Sequence, residues 1–525
     1  MRERRFFSKV FILILMGFLC VSNGYSQHRR GSAVPEQAAV SEQTVPQVPL
    51  TPEAEAKISG LSTTSHSIML NGKPLNYKAT AGYMVMKDEL NRHKANMFYI
   101  SYTKEGSGDL MTRPVTFVFN GGPGSASLWL HMGCMGPKRV KLSDEGFQLP
   151  QPYRYVDNEF TWLEFTDLVF IDPVSTGYSR PAAGVEKKEF HGLVEDVMSV
   201  GEFIRLYVTR NNRWQSPKYL CGESYGTTRA AGLSGYLQDT YGMNLQGIVL
   251  ISSILNFQTA RPVSGNDLPY VLFLPTYTAT AWYYKKLPAE YMGNLNTTLN
   301  EVEKWALSDY MVALAKGSAL TAEERNDVVK KLSGYTGLSK EYIEKMDLRI
   351  PPYSFRDELF SVEKQMVGRL DTRFKTYKGN LQSDEFNDDP SYDAIYGPYS
   401  SVINHYLRNE LKYTNDIHYW AISEQLAPWN WGGEGMGYAN VADVLQKAMV
   451  KNRFLKVLIA NGYYDLATPY FATIYTVNHL GLPPELAKNL EMKYFESGHM
   501  IYINQSCLKQ LRDDVYELYK KQENK

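Results

Sequence analysis

The stretch that decides the fold is Gly222-Glu223-Ser224-Tyr225-Gly226, which matches the G-x-S-x-G pattern of a nucleophile elbow. The preceding residues 218–221 are short and apolar enough for a strand, and residues 227–239 are predicted to form a helix. A serine at such a strand-to-helix turn is held in a strained conformation, with its hydroxyl exposed above the sheet. Ser224 is therefore the candidate nucleophile.

Two later segments supply the acid and the base that a serine nucleophile needs. Asn461-Gly462-Tyr463-Tyr464-Asp465 follows an apolar run, and Glu496-Ser497-Gly498-His499-Met500 follows a short predicted strand at 490–495. The chain order serine, acid, histidine is that of hydrolases with this elbow. We expect His499 to take the hydroxyl proton and Asp465 to fix its tautomer. The alternatives are a turn residue for Asp465 and a structural histidine for His499.

Other acidic residues and histidines are interpreted as non-catalytic. Asp388, Asp389 and Asp393 lie in a polar, proline-containing stretch and are expected to be solvated. His131 and His191 are expected to be surface residues or neighbours of the site rather than bases. The sequence shows no metal-ligand spacing and no phosphate-binding loop, so neither a metal nor a cofactor is expected.

A glycine-rich loop completes the predicted site. Residues 114–119 form an apolar strand pattern, and Asn120-Gly121-Gly122-Pro123-Gly124-Ser125 follows it. Such a loop can point a main-chain N–H into the site beside the amide of Tyr225, the residue after the nucleophile. Two amides arranged in this way would stabilise an oxyanion.

These motifs together resemble the serine carboxypeptidase family that includes carboxypeptidase Y and cathepsin A. The resemblance rests on Asn120–Gly124, Gly222–Gly226 and Gly498-His499-Met500, which occur in the family's order. Residues 171–179 are similar to the family segment D-x-P-x-G-x-G-F-S, with Ser175 in place of a glycine. The stretch from about residue 256 to 439 matches no motif. Within this family, the chain is interpreted as a bacterial-type secreted member.

The resemblance implies a role for each matching residue. It makes Ser224 the acylated nucleophile, His499 the base and then the acid, and Asp465 the orienting carboxylate. The amides of Gly122 and Tyr225 would form the oxyanion hole. The substrate's terminal carboxylate would be bound by Asn120, the amide of Gly121 and Glu223.

Glu223 must be protonated to donate a hydrogen bond to a carboxylate, and a neighbouring like charge raises a pKa. The family has a second glutamate that pairs with the one before the nucleophile. Counting from Asn120 places Cys134 at that position. We therefore expect Glu223 to titrate lower than a paired glutamate, which puts the family's acidic pH optimum and the recognition of a free C-terminus in question.

The composition is that of a globular enzyme. The 525 residues include 56 basic and 56 acidic side chains, so nothing indicates nucleic acid or an anionic membrane as a partner. The sequence is compatible with a homodimer. Of four cysteines, Cys20 lies in the N-terminal apolar stretch, and the sparse remaining set argues against a disulfide framework.

The N-terminus predicts export. Residues 1–9 are basic and residues 10–20 are apolar, a pattern typical of a signal peptide, with cleavage expected before Gln27. The apolar core is too short to be a stable membrane span. Lipid anchoring on Cys20 is the less favoured alternative, because Leu19 precedes it where a small residue is expected. The expected location is periplasmic or secreted.

The sequence divides into four expected regions. Residues 1–26 are the signal peptide and residues 27–56 a disordered tether. An α/β-hydrolase core is expected from residues 57–256 and 449–525, with a mixed, mostly parallel central sheet flanked by helices. Residues 257–448 lack strand–helix alternation and are predicted to be a largely helical cap over the carboxyl ends of the strands.

The expected function is a secreted serine carboxypeptidase acting on peptides with a free C-terminus. The alternative is an esterase or acyltransferase that uses the same fold and triad. A binding protein without activity would need a broken triad, and all three residues are present.

Overall fold

The computed structural model describes residues 49–378, 388–423, 425–426, 428–432 and 437–523. The predicted signal peptide and most of the predicted tether lie outside these residues. Helix α1 spans Pro52–Ser59, so the end of the predicted tether is helical rather than disordered. Thr51 caps this helix with its side chain, and Gly60 ends it in a left-handed conformation.

Fourteen strands occur among the described residues: β1 Ser62–Leu70, β2 Lys73–Lys87, β3 His93–Lys104, β4 Val115–Phe119, β5 Lys138–Val140, β6 Tyr155–Asp157, β7 Asp167–Ile171, β8 Arg180–Pro181, β9 Lys218–Glu223, β10 Gly247–Ile251, β11 Gln365–Val367, β12 Lys375–Tyr377, β13 Lys456–Gly462 and β14 Leu490–Phe495. The described α-helices after α1 are α2 Leu128–Leu130, α3 Leu193–Arg210, α4 Tyr225–Tyr241, α5 Leu268–Tyr283, α6 Leu295–Trp305, α7 Met311–Lys316, α8 Ala322–Thr336, α9 Lys340–Lys345, α10 Pro352–Glu358, α11 Pro390–Asn409, α12 Ala442–Lys451, α13 Tyr470–Asn478, α14 Pro484–Ala487 and α15 Gln505–Glu523.

The central sheet has the order β1-β2-β3-β7-β4-β9-β10-β13-β14, and β8 also pairs with β3. The strands from β7 to β14 along this order are parallel, whereas β1, β2 and β3 pair antiparallel at one edge. This arrangement confirms the predicted mixed, mostly parallel sheet flanked by helices.

The antiparallel edge begins with a tight hairpin. Leu70 pairs with Lys73, so Asn71 and Gly72 alone connect β1 and β2. Both connecting residues have positive φ, 52° and 77°. That combination belongs to the turn whose twist matches a right-handed β-ribbon, and Asn-Gly is its preferred sequence.

Two apolar cores cover the two faces of the sheet. On β4 the side chain of Val118 joins one core, and those of Phe117 and Phe119 join the other. Successive side chains of a strand point to opposite faces, so this alternation shows that helices cover both sides. The continuous burial of β4, β7, β9 and β10 is typical of central parallel strands.

The region after β10 is mainly helical. Helices α5 to α10 surround a third apolar core that contains Leu272, Tyr310 and Leu332. The short hairpin of β11 and β12 and the long helix α11 follow. The polar composition of residues 353–393 predicts a loop, but this stretch contains regular structure. Within the residues that the structure describes, no helix has the length and apolar character needed to cross a membrane.

Candidate active site

Ser224 occupies the turn between β9 and α4, as the sequence predicts. Its backbone has φ 60° and ψ −130°, a sparsely populated combination for a residue with a side chain. The turn is possible because its flanking residues are glycines. A Cβ on Gly222 would lie 2.1 Å from the carbonyl oxygen of Gly226, and one on Gly226 would lie 2.8 Å from that of Phe119. The elbow therefore packs backbone against backbone.

Asp465 and His499 meet directly. His499 Nδ1 lies 2.7 Å from Asp465 Oδ2, and both side chains are buried. The other oxygen, Oδ1, accepts hydrogen bonds from the amides of Ala467 and Thr468 at 2.7 and 3.1 Å. The Thr468 hydroxyl donates to Oδ2 at 2.7 Å. Asp465 thus holds its own turn and the imidazole at once.

Ser224 and His499 are connected through the end of β10. The Ser224 amide donates to the carbonyl of Ile251 at 3.0 Å, and the hydroxyl of the next residue, Ser252, donates to the carbonyl of His499 at 2.6 Å. Strands β9, β10, β13 and β14 are adjacent and parallel, so their carboxyl ends share one edge of the sheet. Ser224, Asp465 and His499 each follow one of these ends.

The pKa of His499 lies above its ordinary value. Burial lowers it, but the charge of Asp465 and the hydrogen bond between the two side chains outweigh that effect. A buried carboxylate on Nδ1 leaves Nε2 as the atom that can accept a proton. The pair has the electrostatics of a general base.

The glycine-rich loop after β4 lies on the elbow. A Cβ on Gly121 would lie 2.5 Å from the amide nitrogen of Tyr225, so only glycine permits this approach. Gly122 has φ +102°, again suited to glycine. Tyr225 is the first residue of α4, where amide groups have no carbonyl partner within the helix and the helix dipole is positive. The structure therefore places both predicted oxyanion-hole segments side by side.

Glu223 and Asn120, two of the residues expected to bind the substrate carboxylate, are hydrogen-bonded to each other. Asn120 Nδ2 donates to Glu223 Oε1 at 3.0 Å, and Asn120 Oδ1 accepts from the amide of Leu130 at 3.1 Å. Glu223 is only 4% exposed. Burial raises the pKa of Glu223 to about 7, against the opposing influence of His499, Tyr502 and Asn120. Burial is the largest cause that raises this pKa, and the charge of Asp465 adds to it, although no carboxyl stands at residue 134.

Cys134 lies near Glu223, as the alignment of motifs predicts. Burial and the charge of Glu223 raise the pKa of its thiol well above the ordinary value, so the thiol is neutral. The three described cysteines, Cys134, Cys221 and Cys507, are all free and buried. Among the residues described here, no group of three or more His, Cys, Asp or Glu side chains is arranged to hold a metal ion.

Of the two interpretations of His131 and His191, the one as surface residues was wrong, and so was the expected solvation of Asp389, whereas Asp388 and Asp393 are exposed as expected. His131 is 1% exposed, its Nε2 lies 2.7 Å from the Tyr102 hydroxyl, and burial lowers its pKa to about 3. His191 is also buried, with Nε2 2.9 Å from Ser175 Oγ. Asp389 is buried as the N-cap of α11 and accepts from the amide of Ser391 at 3.0 Å. Each satisfies a structural hydrogen bond that sequence spacing does not reveal.

One group that supports His499 has no recognisable sequence signal. Asp371, in the loop between β11 and β12, accepts from the amide of Gly498 at 3.1 Å, and Arg373 holds its carboxylate at 2.6 Å. The amide of His499 donates to the carbonyl of Leu370 at 2.6 Å. Tyr502, three residues after His499, was also missed, and it lies beside Glu223.

The fold and this geometry define a protein of the α/β-hydrolase class. A family model described as serine carboxypeptidase matches residues 70–507, and the chain belongs to that family. The matched range contains every predicted site residue.

Individual relatives match this chain over short stretches and at low identity. The chain is similar to the pheromone-processing carboxypeptidase KEX1 of Arthroderma otae, with 29% identity over 151 residues, 28% of this chain and 21% of the relative. The protein of that name from Saccharomyces cerevisiae is 32% identical over 115 residues, which cover 21% of this chain and 14% of the relative. The chain thus spans about a fifth or less of the curated relatives' length.

A solved structure supports the fold. The crystal structure of KEX1(DELTA)P, a prohormone-processing carboxypeptidase from Saccharomyces cerevisiae, matches with a TM-score of 0.52. The match covers 84% of this chain and 91% of that one at 17% identity. At this identity the likeness concerns the fold alone.

Proposed function

We propose that this protein is a secreted serine carboxypeptidase that releases C-terminal residues from peptides. The observation that carries the proposal is the position of Glu223. This buried, readily protonated carboxyl is hydrogen-bonded to Asn120, and the adjoining residue is the elbow serine. A hydrogen-bond donor for a carboxylate, placed next to a nucleophile, suits a substrate whose reacting bond lies beside its C-terminus.

The catalytic steps follow from the roles of the three side chains. Ser224 Oγ attacks the last peptide carbonyl while His499 Nε2 takes its proton, and Asp465 stabilises the resulting imidazolium. The amides of Gly122 and Tyr225 stabilise the oxyanion. His499 then protonates the leaving amine, and the C-terminal amino acid departs. Water, deprotonated by His499, hydrolyses the acyl-enzyme and releases the shortened peptide.

Recognition of the terminal carboxylate is assigned to Asn120, the amide of Gly121 and Glu223. Protonated Glu223 can donate a hydrogen bond to a carboxylate, whereas ionised Glu223 would repel it. The helical region 257–448 is proposed to be a cap that shapes the substrate side of the site. Its loop around Asp371 touches the segment that carries His499, which supports this division.

Export is proposed from residues 1–26, with cleavage before Gln27 and a periplasmic or secreted product. The support is the basic start, the apolar core and the small residues before Gln27.

The test compares blocked dipeptides that have a free C-terminus with the corresponding C-terminal amides. We expect kcat/KM to favour the free acid by about 10- to 100-fold, the effect of one charge-assisted hydrogen bond. Ser224→Ala should abolish turnover of both substrates. The matched control is Ser234→Ala, which alters a buried serine of the same helix and should leave both rates unchanged.

Two outcomes would contradict the proposal. Equal rates on acid and amide would remove carboxylate recognition and favour the esterase or acyltransferase alternative. Turnover that survives in Ser224→Ala would remove the nucleophile.

A further inference from the structure

Two buried polar atoms near the nucleophile lack a hydrogen bond of standard geometry. They are Oε2 of Glu223 and the hydroxyl of Tyr502, both inaccessible to solvent among the residues that the structure describes. A buried polar group without a well-aligned partner is costly, so its retention calls for an explanation. The two groups lie within hydrogen-bonding range of each other, and each shifts the other's pKa.

The position of Tyr502 depends on the absence of a side chain at Gly133. Tyr502 lies in the short turn Ile501–Ile503, directly after the segment that carries His499, and it is 2% exposed. A Cβ on Gly133 would lie 2.6 Å from Tyr502 Cε2 and 2.4 Å from the Tyr399 hydroxyl. The aromatic rings therefore occupy space that glycine at 133 leaves free. Cys134, the next residue, is shorter than the glutamate that the family resemblance leads one to expect there.

We propose that Tyr502 is a positioning residue that holds Glu223 for recognition of the substrate's terminal carboxylate, in place of a second carboxyl at residue 134. This inference rests on the proposed carboxypeptidase function. The phenol of Tyr502 lies within hydrogen-bonding range of the Glu223 carboxyl, and Asn120 holds the other oxygen, Oε1. Glu223 would then be fixed at both oxygens by neutral groups.

A phenol and a carboxyl differ in their effect on Glu223. The Tyr502 phenol is neutral, because burial raises its pKa well above the ordinary tyrosine value. As a donor to the carboxylate it lowers the pKa of Glu223, opposing the burial that raises it. A second carboxylate would instead raise that pKa by repulsion. The carboxylate-binding site accordingly has a single titrating carboxyl, rather than two carboxyls that share one proton.

Other groups face Glu223 from the surrounding elements. His499 lowers its pKa and Asp465 raises it. The neutral thiol of Cys134 and the Tyr399 hydroxyl on α11 also lie within electrostatic reach of Glu223. Among the described residues, Tyr502 and Asn120 are the two side chains that offer hydrogen bonds to this carboxyl, so none of these other groups replaces the phenol.

The experiment measures KM and kcat against pH for a blocked dipeptide acid and its amide. In Tyr502→Phe, loss of the donor raises the pKa of Glu223, so KM for the acid should begin to rise about one pH unit higher than in the wild type. Loss of positioning should raise the plateau KM about three- to tenfold. Hydrolysis of the amide, which has no carboxylate, should be unchanged.

Two further variants separate positioning from a structural role. Glu223→Gln has no titrating group, so adding Tyr502→Phe to it should shift no pH midpoint and change KM less than in the wild-type background. Tyr399→Phe removes a neighbouring phenol that does not hydrogen-bond Glu223 and should leave the midpoint in place. Thermal unfolding of each variant checks that the fold is retained.

The outcomes are distinct. An unmoved midpoint in Tyr502→Phe, or an equal effect in the Glu223→Gln background, overturns the inference about Tyr502 while the wild type still prefers the acid. A wild type that does not distinguish acid from amide overturns the proposed function itself.

Discussion

At the scale of single residues, the elbow contains two neighbouring residues with different proposed roles, Glu223 and Ser224. Glu223 ends β9 inside the protein, and Ser224 begins the strained turn above the sheet. One short motif thus places a carboxyl and the elbow hydroxyl at adjacent positions. Under the proposed function, recognition and reaction would be linked by neighbouring residues of the chain.

The protonation states of His499 and Glu223 predict a bell-shaped pH profile for peptide acids. The pKa of His499 is raised, so kcat/KM should fall as pH decreases through that value and the base becomes protonated. The pKa of Glu223 is raised to about 7, so recognition should be lost as pH rises through about 7. The maximum should lie near neutrality rather than at strongly acidic pH.

The measurement is kcat/KM for acid and amide substrates from about pH 5 to 9, which reports the free enzyme's groups. Amides should show only the acidic limb, and Glu223→Gln should lose the alkaline limb for acids. An alkaline limb shared by the amide would show that the limb does not arise from carboxylate recognition.

At the scale of elements, α3 and α4 fasten the glycine-rich loop. Arg229 on α4 donates to Asp196 on α3 at 2.7 Å and to the carbonyl of Asn120 at 2.6 Å. Tyr225 donates its hydroxyl to the same aspartate at 3.2 Å. All of these side chains are buried, so one ion pair ties two helices to the loop that faces the nucleophile.

Arg229→Met should therefore be strongly destabilising. It leaves Asp196 buried without its cation, and breaking a buried pair in this way costs about 3–5 kcal/mol. The control is Arg205→Met, which breaks a partly exposed pair with Glu202 on the outside of α3 and should cost less than about 1 kcal/mol. Free energies of unfolding from denaturant titration compare the two. Equal losses would mean that the buried pair contributes no more than the surface pair.

At the scale of the whole molecule, the segment between β10 and β13 helps to form the site. The loop around Asp371 belongs to this segment, yet it holds the backbone of Gly498 next to His499. A Cβ on Gly498 would lie 2.4 Å from that of Asp371, so the two segments are in tight contact. The segment between β10 and β13 thus contacts the residue before His499 through the side chain of Asp371.

Asp371→Asn should lower kcat on acid and amide substrates alike, by about tenfold or more. The change removes the anion that Arg373 holds and loosens the backbone before His499, and a shift of about 1 Å in a catalytic group can cost about 10²-fold. The acid-to-amide preference should be retained, because Glu223 is untouched. Glu363→Gln, which alters a surface pair with Lys286 in the same region, is the control. An unchanged kcat in Asp371→Asn would contradict this coupling.

Much of the fold could be predicted because local rules agree with it. The Asn71-Gly72 hairpin, the apolar central strands and the elbow each have a sequence signature, and all three occur in the structure. The apolar spacing of residues 186–209 predicts a helix, which forms only from Leu193, because a short 3-10 turn and an irregular segment precede it. The polar sequence of residues 353–393 predicts a loop, because strands of only three residues leave no recognisable pattern.

The sequence by itself determined the candidate nucleophile, the order of its expected partners and the glycines that permit close backbone contacts, because these depend on residue type and short spacing. Only the tertiary structure decided that Glu223 is buried enough to hold a proton near neutrality, that Tyr502 faces it, and that Asp371 supports His499. Burial and long-range hydrogen bonds join residues more than a hundred positions apart, and no local pattern encodes such distances.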